Sequence, residues 1–244
     1  MLSRVLRLAL DERAARRGQT LVGRYGALVM PLVESGAFTL VFTLFLRPRV
    51  TPVGYWLFVY IGVLAWRSFA RGVTAAAASR VHSGPPATVV ATAAVVGACL
   101  DALIALPLLV VAVVVFHGIP PVAALLWLPV ALTLQIAATL GLGWLVAAAN
   151  TLHRDVGRGI EPLLYLLMFA APVVYPTSLV PVSLRTLFLA NPMAAAIDSY
   201  RAALLGGVPV PVNALGLACL TAGLLLVAGW TALRRLDTRL REVL

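Results

Sequence analysis

The chain has 244 residues, of which 61% are hydrophobic and 11% charged, with a mean hydropathy of +0.99. Soluble domains run at about 45–50% apolar and about 25% charged, so this balance excludes an ordinary cytosolic enzyme and a disordered chain, and predicts an all-α integral membrane protein. The net charge of +10 comes from 19 basic residues, all of them arginine, against 9 acidic ones; without lysine no phosphate-binding Gly-Lys-Ser/Thr loop can be written, which excludes ATP hydrolysis through that motif.

Residues 1–24 read as an amphipathic cytoplasmic helix lying in the headgroup layer. Leu2, Val5, Leu6 and Ala9 recur at helical spacing, with Arg4, Arg7 and Asp11 on the other side. Arg4, Arg7, Arg13, Arg16, Arg17 and Arg24 precede any apolar run long enough for a signal-peptide core, so no cleavable leader is expected. Residues 25–244 read as a single six-span domain, because six crossings of about 20 residues use roughly 120 of those available.

The first predicted span covers about 26–46 and exits at Arg47-Pro48-Arg49 and Thr51-Pro52. The second, about 54–76, starts with Tyr55, Trp56 and Tyr60 and grades into Arg67, Arg71 and Arg80, so its far end is expected to be wet. The third, about 88–116, ends at His117-Gly118-Ile119-Pro120-Pro121, and the fourth covers about 123–149. A polar segment at 150–161 follows, then a fifth span at about 162–180 that Pro172 and Pro176 interrupt. Residues 183–190 and 192–205 read as two short helices on either side of Asn191-Pro192. Each is too short to cross alone, which predicts a re-entrant or interfacial helical hairpin between spans five and six. The sixth span covers about 212–233 and leads to Arg234, Arg235, Arg239 and Arg241.

With both termini cytoplasmic, only Arg47, Arg49, Arg185 and Arg201 fall outside and the other fifteen arginines fall inside, the bias expected of a plasma-membrane protein in that orientation. Basic residues placed between apolar spans match anionic headgroups rather than nucleic acid. The halves show no internal repeat of the kind that secondary transporters carry.

Chemistry is sparse. Neither Gly-x-Ser-x-Gly nor His-Glu-x-x-His occurs, His82, His117 and His153 sit in three connections, and Asp101, Asp155 and Asp198 are far apart in sequence. No catalytic, metal or cofactor site is therefore expected. Cys99 and Cys219 lie in apolar stretches, as small hydrophobes do. Glu34 in span one and Asp101 in span three are ionisable groups at membrane depth, fit either to carry a proton or cation or to glue helices together by hydrogen bonds. Tyr165, Phe169 and Tyr175 lie along the broken fifth span, where flat amphipathic rings suit a path for a sugar chain or amphiphile, although core packing accounts for each singly. A proton-coupled antiporter and a membrane enzyme acting on a lipid-linked substrate both stay open at this point.

The order of motifs is more specific than any one of them. The basic amino terminus, six spans, Asn150-Thr151-Leu152-His153-Arg154-Asp155, Pro172-Val173-Val174-Tyr175-Pro176, Asn191-Pro192 and Tyr200-Arg201-Ala202-Ala203-Leu204-Leu205-Gly206 together resemble the membrane subunit of type-2 ABC exporters, in the polysaccharide, O-antigen and teichoic-acid export branch. The drug- and glycolipid-export permeases of the same class share the topology. The resemblance implies a homodimer with a separate ATPase that binds ATP and magnesium, exporting a lipid-linked glycan or polymer across the bacterial inner membrane, with no cofactor in this chain. It implies ATPase-coupling loops at Arg80, His82 and Pro85 and at Asn150, His153, Arg154 and Asp155. It implies a translocation path along spans one and five, where Glu34, Phe38, Tyr165, Phe169 and Tyr175 fall, and an outer gate at Asn191, Pro192, Tyr200 and Arg201. Two departures stand out: the loop after span two lacks the family's lysine and aromatic, and Glu34 is not part of the pattern.

Overall fold

The computed structural model describes residues 5–10, 21–46, 52–79, 85–206 and 210–243. Among them the regular secondary structure is all helical, without a strand. We number the helices α1 (residues 5–10), α2 (Leu21–Leu46), α3 (Pro52–Ala78), α4 (Ala87–Phe116), α5 (Trp127–Leu152), α6 (Asp155–Leu167), α7 (Val182–Leu189), α8 (Pro192–Leu205) and α9 (Val212–Val243), with 3-10 turns at Ala124–Leu126, Met168–Ala170 and Thr177–Leu179. Three stretches, Ala87–Phe116, Ala124–Leu152 and Val212–Thr238, are long and apolar enough to cross a membrane, and Val29–Leu44 is a shorter apolar one.

α3 is the central helix, packed against α2, α4, α5, α6 and α8. Its neighbours bury Val59, Val63, Trp66, Phe69 and Val73 against Ile160, Leu164 and Met168 of the α6 region and Met193 and Ile197 of α8. The tightest seam joins α5 to α9. A Cβ on Gly141 would come within 2.6 Å of the Leu225 backbone, and one on Gly229 would run into the Gly141 carbonyl. Glycine costs a helix about 1 kcal/mol relative to alanine, and here that cost is offset by backbones that approach closely.

Three boundaries differ from those read in the sequence. The fifth span was expected at about 162–180, whereas α6 begins at Asp155 and ends at Leu167. The polar start is the first turns of an amphipathic helix that buries Ile160 and Leu164 and leaves Glu161, Leu163, Tyr165 and Leu166 exposed. The sixth span was expected to stop near 233, but α9 continues to Val243, because Leu233 and Leu236 remain buried against Ala87, Ala91, Ala147 and Ala148. At 32 residues it extends about 48 Å, longer than a hydrocarbon core of about 30 Å. Arg67, expected near a wet helix end, lies eleven residues before the end of α3 and is paired there, as described below.

At the amino terminus, Val5 and Ala9 pack on Val89 and Ala93 of α4, while Leu6 and Arg7 face outward. Residues 1–4 and 11–20 of the expected interfacial segment lie outside the described residues.

Candidate functional site

The break after α6 is held by one arginine. Residues 171–176 leave the helix at Ala171, which is extended with φ −121° and ψ 156°, so consecutive carbonyls lose their helical partners. Arg201 of α8, 4% exposed, donates from Nη1 to the Pro172 carbonyl and from Nη2 to that of Val173 at 2.7 Å. Tyr55 of α3 donates to the next carbonyl, Val174, at 2.6 Å. The same guanidinium donates to the Phe58 carbonyl from Nε at 3.2 Å and from Nη2 at 3.0 Å. Its Cζ stands 3.4 Å from the centroid of the Phe58 ring, a cation–π contact. Asp198, one turn earlier on α8, accepts from Arg201 Nη1 at 3.4 Å and from the Thr177 hydroxyl. A Cβ on Gly62 would lie 2.6 Å from the Val173 oxygen and 2.8 Å from Arg201 Nη2, so α3 needs glycine where the break crosses it.

α8 itself is built for a sharp start and stop. Asn191 caps it by accepting from the Met193 N–H at 3.0 Å, Pro192 takes the first helical position, and Gly206 closes it with φ 63°. His117 Nε2, just past α4, lies 3.0 Å from the Leu205 carbonyl. The expected outer-gate residues therefore divide: Arg201 fastens the break, Asn191 and Pro192 shape the helix start, and Tyr200 turns to a cavity of about 300 Å³ between α3, α4 and α5 that Ile61, Ser68, Cys99 and Gln135 also line.

The expected path residues form a row. Phe38 meets Phe169 edge-on at 6.2 Å, Phe169 meets Tyr165 at 6.0 Å, and Tyr175 donates its hydroxyl to the Phe169 carbonyl at 2.8 Å. Glu34 lies one turn before Phe38 on α2 and is salt-bridged to Arg67 of α3, their side chains 21% and 28% exposed. Tyr165 and Phe169 are 54% and 41% exposed, so among the described residues no element covers that end of the row. Asp101, the other intramembrane acid of the sequence reading, falls within α4 with a side chain outside the described residues.

At the opposite end, Asn150 near the end of α5 is a staple. It donates to the Ala77 carbonyl of α3 at 2.8 Å and accepts from the Gly157 N–H of α6 at 2.7 Å. A Cβ on Gly157 would lie 2.6 Å from that Asn150 oxygen. His153, Arg154 and Asp155 are exposed. Asp155 pairs with Arg158 at 3.2 Å, since residues three apart on a helix face one another. Arg80 and His82 lie outside the described residues, and Pro85 is exposed two residues before α4.

Sequence reasoning missed Phe58, Gly62 and Asp198. Asp198 carried a usable signal, three residues before Arg201 on one helix face. The others act across 100 residues or more, or through backbone atoms, and leave no local pattern.

The sequence profile of the ABC-2 type transporter family matches residues 80–205. The O-antigen export system permease protein RfbA of Myxococcus xanthus is 30% identical over 207 residues, 81% of this chain and 78% of that protein. Two sequences of the protein of that name from Klebsiella pneumoniae are each 23% identical over 237 residues, 94% of this chain and 90% of theirs. The matched region runs from the first expected coupling loop through the Asn150 staple and the broken helix to Arg201, and the chain belongs to the ABC-2 type transporter family as a multi-pass membrane permease.

Proposed function

We propose that this chain is the membrane subunit of an ATP-driven exporter of a lipid-linked polysaccharide in the bacterial inner membrane, with six spans, both termini cytoplasmic and α7–α8 as the re-entrant hairpin. It works as a homodimer with two copies of a separate ATPase subunit, which bind ATP and magnesium. The observation that carries this reading is the Glu34–Arg67 pair beside the uncovered row of Phe38, Phe169 and Tyr165. Charges at membrane depth are too costly to face lipid, so that surface borders water or a second copy, and aromatic faces suit the apolar faces of sugar rings. The relatives named for O-antigen export favour a polysaccharide over a drug, a free glycolipid or a teichoic-acid-like polymer.

ATP binding by the partner displaces the 80–85 and 150–155 connections. Through Asn150 the second displacement reaches α3, α5 and α6 together, and a path opens between the two copies of α2 and α6. Arg201 holds the outer end of α6 to α3 and α8 while this happens. A proton-coupled antiporter is disfavoured because Glu34 has a fixed cationic partner in Arg67. Deleting the gene and staining the cell surface for glycan tests the proposal. Loss of surface polysaccharide with lipid-linked polymer accumulating inside is expected; unchanged surface glycan with altered drug sensitivity would contradict it.

A further inference from the structure

The N-terminus of α4 has no cap of its own. Its N-cap residue is Pro86, whose side chain accepts nothing, leaving the first backbone N–H groups without a local partner. The acceptor comes from the far end of the chain: Asp237 on α9 accepts from the Ala87 N–H at 2.6 Å, from the Thr88 N–H at 3.4 Å and from the Thr88 hydroxyl at 3.2 Å. A carboxylate at a helix N-terminus also meets the positive end of its dipole.

The contact belongs to a closed circuit. The Thr92 hydroxyl, one turn beyond Thr88, donates to the Thr88 carbonyl at 2.6 Å and accepts from the Trp144 indole of α5 at 3.0 Å. Trp144 packs on Trp230 of α9 at 5.4 Å, and Arg234 lies over the Trp230 ring at 4.6 Å, three residues before Asp237. Below it Gly141 and Gly229 lock α5 to α9. α9 is thereby clasped to α4 at the point where the 80–85 connection leads in.

We infer that Asp237 is a positioning residue for coupling: it fastens the start of α4 to α9, so that displacement of the preceding connection by the ATPase moves α4 and α9 as one body. This rests on the exporter reading above. Without the clasp the ATPase still binds and turns over, but its stroke is absorbed where α4 and α9 separate.

The test uses the full permease with its ATPase in proteoliposomes, reading export per ATP hydrolysed. Asp237→Ala is expected to assemble, hydrolyse ATP within about twofold of the parent and export at least about tenfold less per ATP, the factor matching loss of charge-assisted hydrogen bonds. Pro86→Asp added to Asp237→Ala restores a local cap, for which aspartate is favoured, without the link to α9. If the link matters, the double variant stays uncoupled; if it recovers, the helix end needed only a cap and the inference is wrong. Thr88→Val removes one bond and keeps the cap, so it reports even if Asp237→Ala fails to assemble. A smaller loss of export per ATP is expected, and parental coupling would overturn the inference. Parent protein showing no ATP-dependent export would instead refute the exporter reading itself.

Discussion

A guanidinium sealed inside an apolar bundle loses its hydration, and Arg201 recovers donors' partners from carbonyls that the broken helix and α3 present to it. Each acceptor vacated in a buried site costs about 1–3 kcal/mol. Arg201→Ala is therefore expected to lower the melting temperature of the detergent-solubilised protein and its yield. Arg201→Lys is expected to rescue little, because an ammonium lacks the planar fork that reaches residues 58, 172 and 173 together. Parental melting of Arg201→Lys would contradict this account. Glu34 and Arg67 make a second residue-scale test. Glu34→Gln leaves Arg67 without its charged partner, so export should fall by the same factor at every pH, and exchanging the pair (Glu34→Arg with Arg67→Glu) should recover most of it. A loss confined to one side of a pH transition would mean that Glu34 carries a proton. The Asn191-Pro192 helix start was legible in the sequence because local chemistry fixes it, whereas Tyr200-Arg201 stood out only through the order of motifs that the resemblance rests on. What Arg201 holds was not legible, since its acceptors are backbone atoms of two other elements.

Among the helices, α6 departs most from what its sequence suggested. Pro172 and Pro176 marked the break correctly, but the charged start at Asp155 hid an amphipathic helix that buries Ile160 and Leu164. The long apolar helices α4 and α5 were legible within a few residues because hydropathy dominates them. The extension of α9 was hidden by its arginines, which mask the buried Leu233 and Leu236. At this scale the Asn150 staple predicts a graded series. Asn150→Ala removes bonds to both α3 and α6 and leaves the Ala77 carbonyl and Gly157 N–H unpaired, so the protein should reach the membrane, bind the ATPase and export several-fold less. Arg154→Ala and Asp155→Ala alter only exposed groups and should leave melting unchanged while lowering export, if this surface meets the ATPase. Parental export and ATPase stimulation in both would remove that role from the loop.

For the whole molecule, the uncovered faces carry the argument. α2 exposes Val33, Leu40 and Leu44, and α6 exposes Leu163 and Leu166 at 50% and 67%, close to the row of Phe38, Phe169 and Tyr165. A pair of copies meeting along these helices would enclose the row and the Glu34–Arg67 pair. Leu166→Cys in a background with Cys99 and Cys219 replaced by alanine should then cross-link into a dimer in native membranes, whereas Leu126→Cys, on the turn before α5 and 74% exposed, should not. Equal cross-linking at both positions would mean random collision rather than an interface. Without lysine no phosphate-binding Gly-Lys-Ser/Thr motif can be written in this sequence, and the family match places the chain among permeases. The most direct measurement is gentle purification of the tagged protein from its native membrane, with co-purifying chains identified by mass and assayed for ATP hydrolysis. The account predicts a P-loop ATPase at one copy per permease copy, with hydrolysis that the purified complex retains; a permease that comes down alone, without ATPase activity, would contradict it.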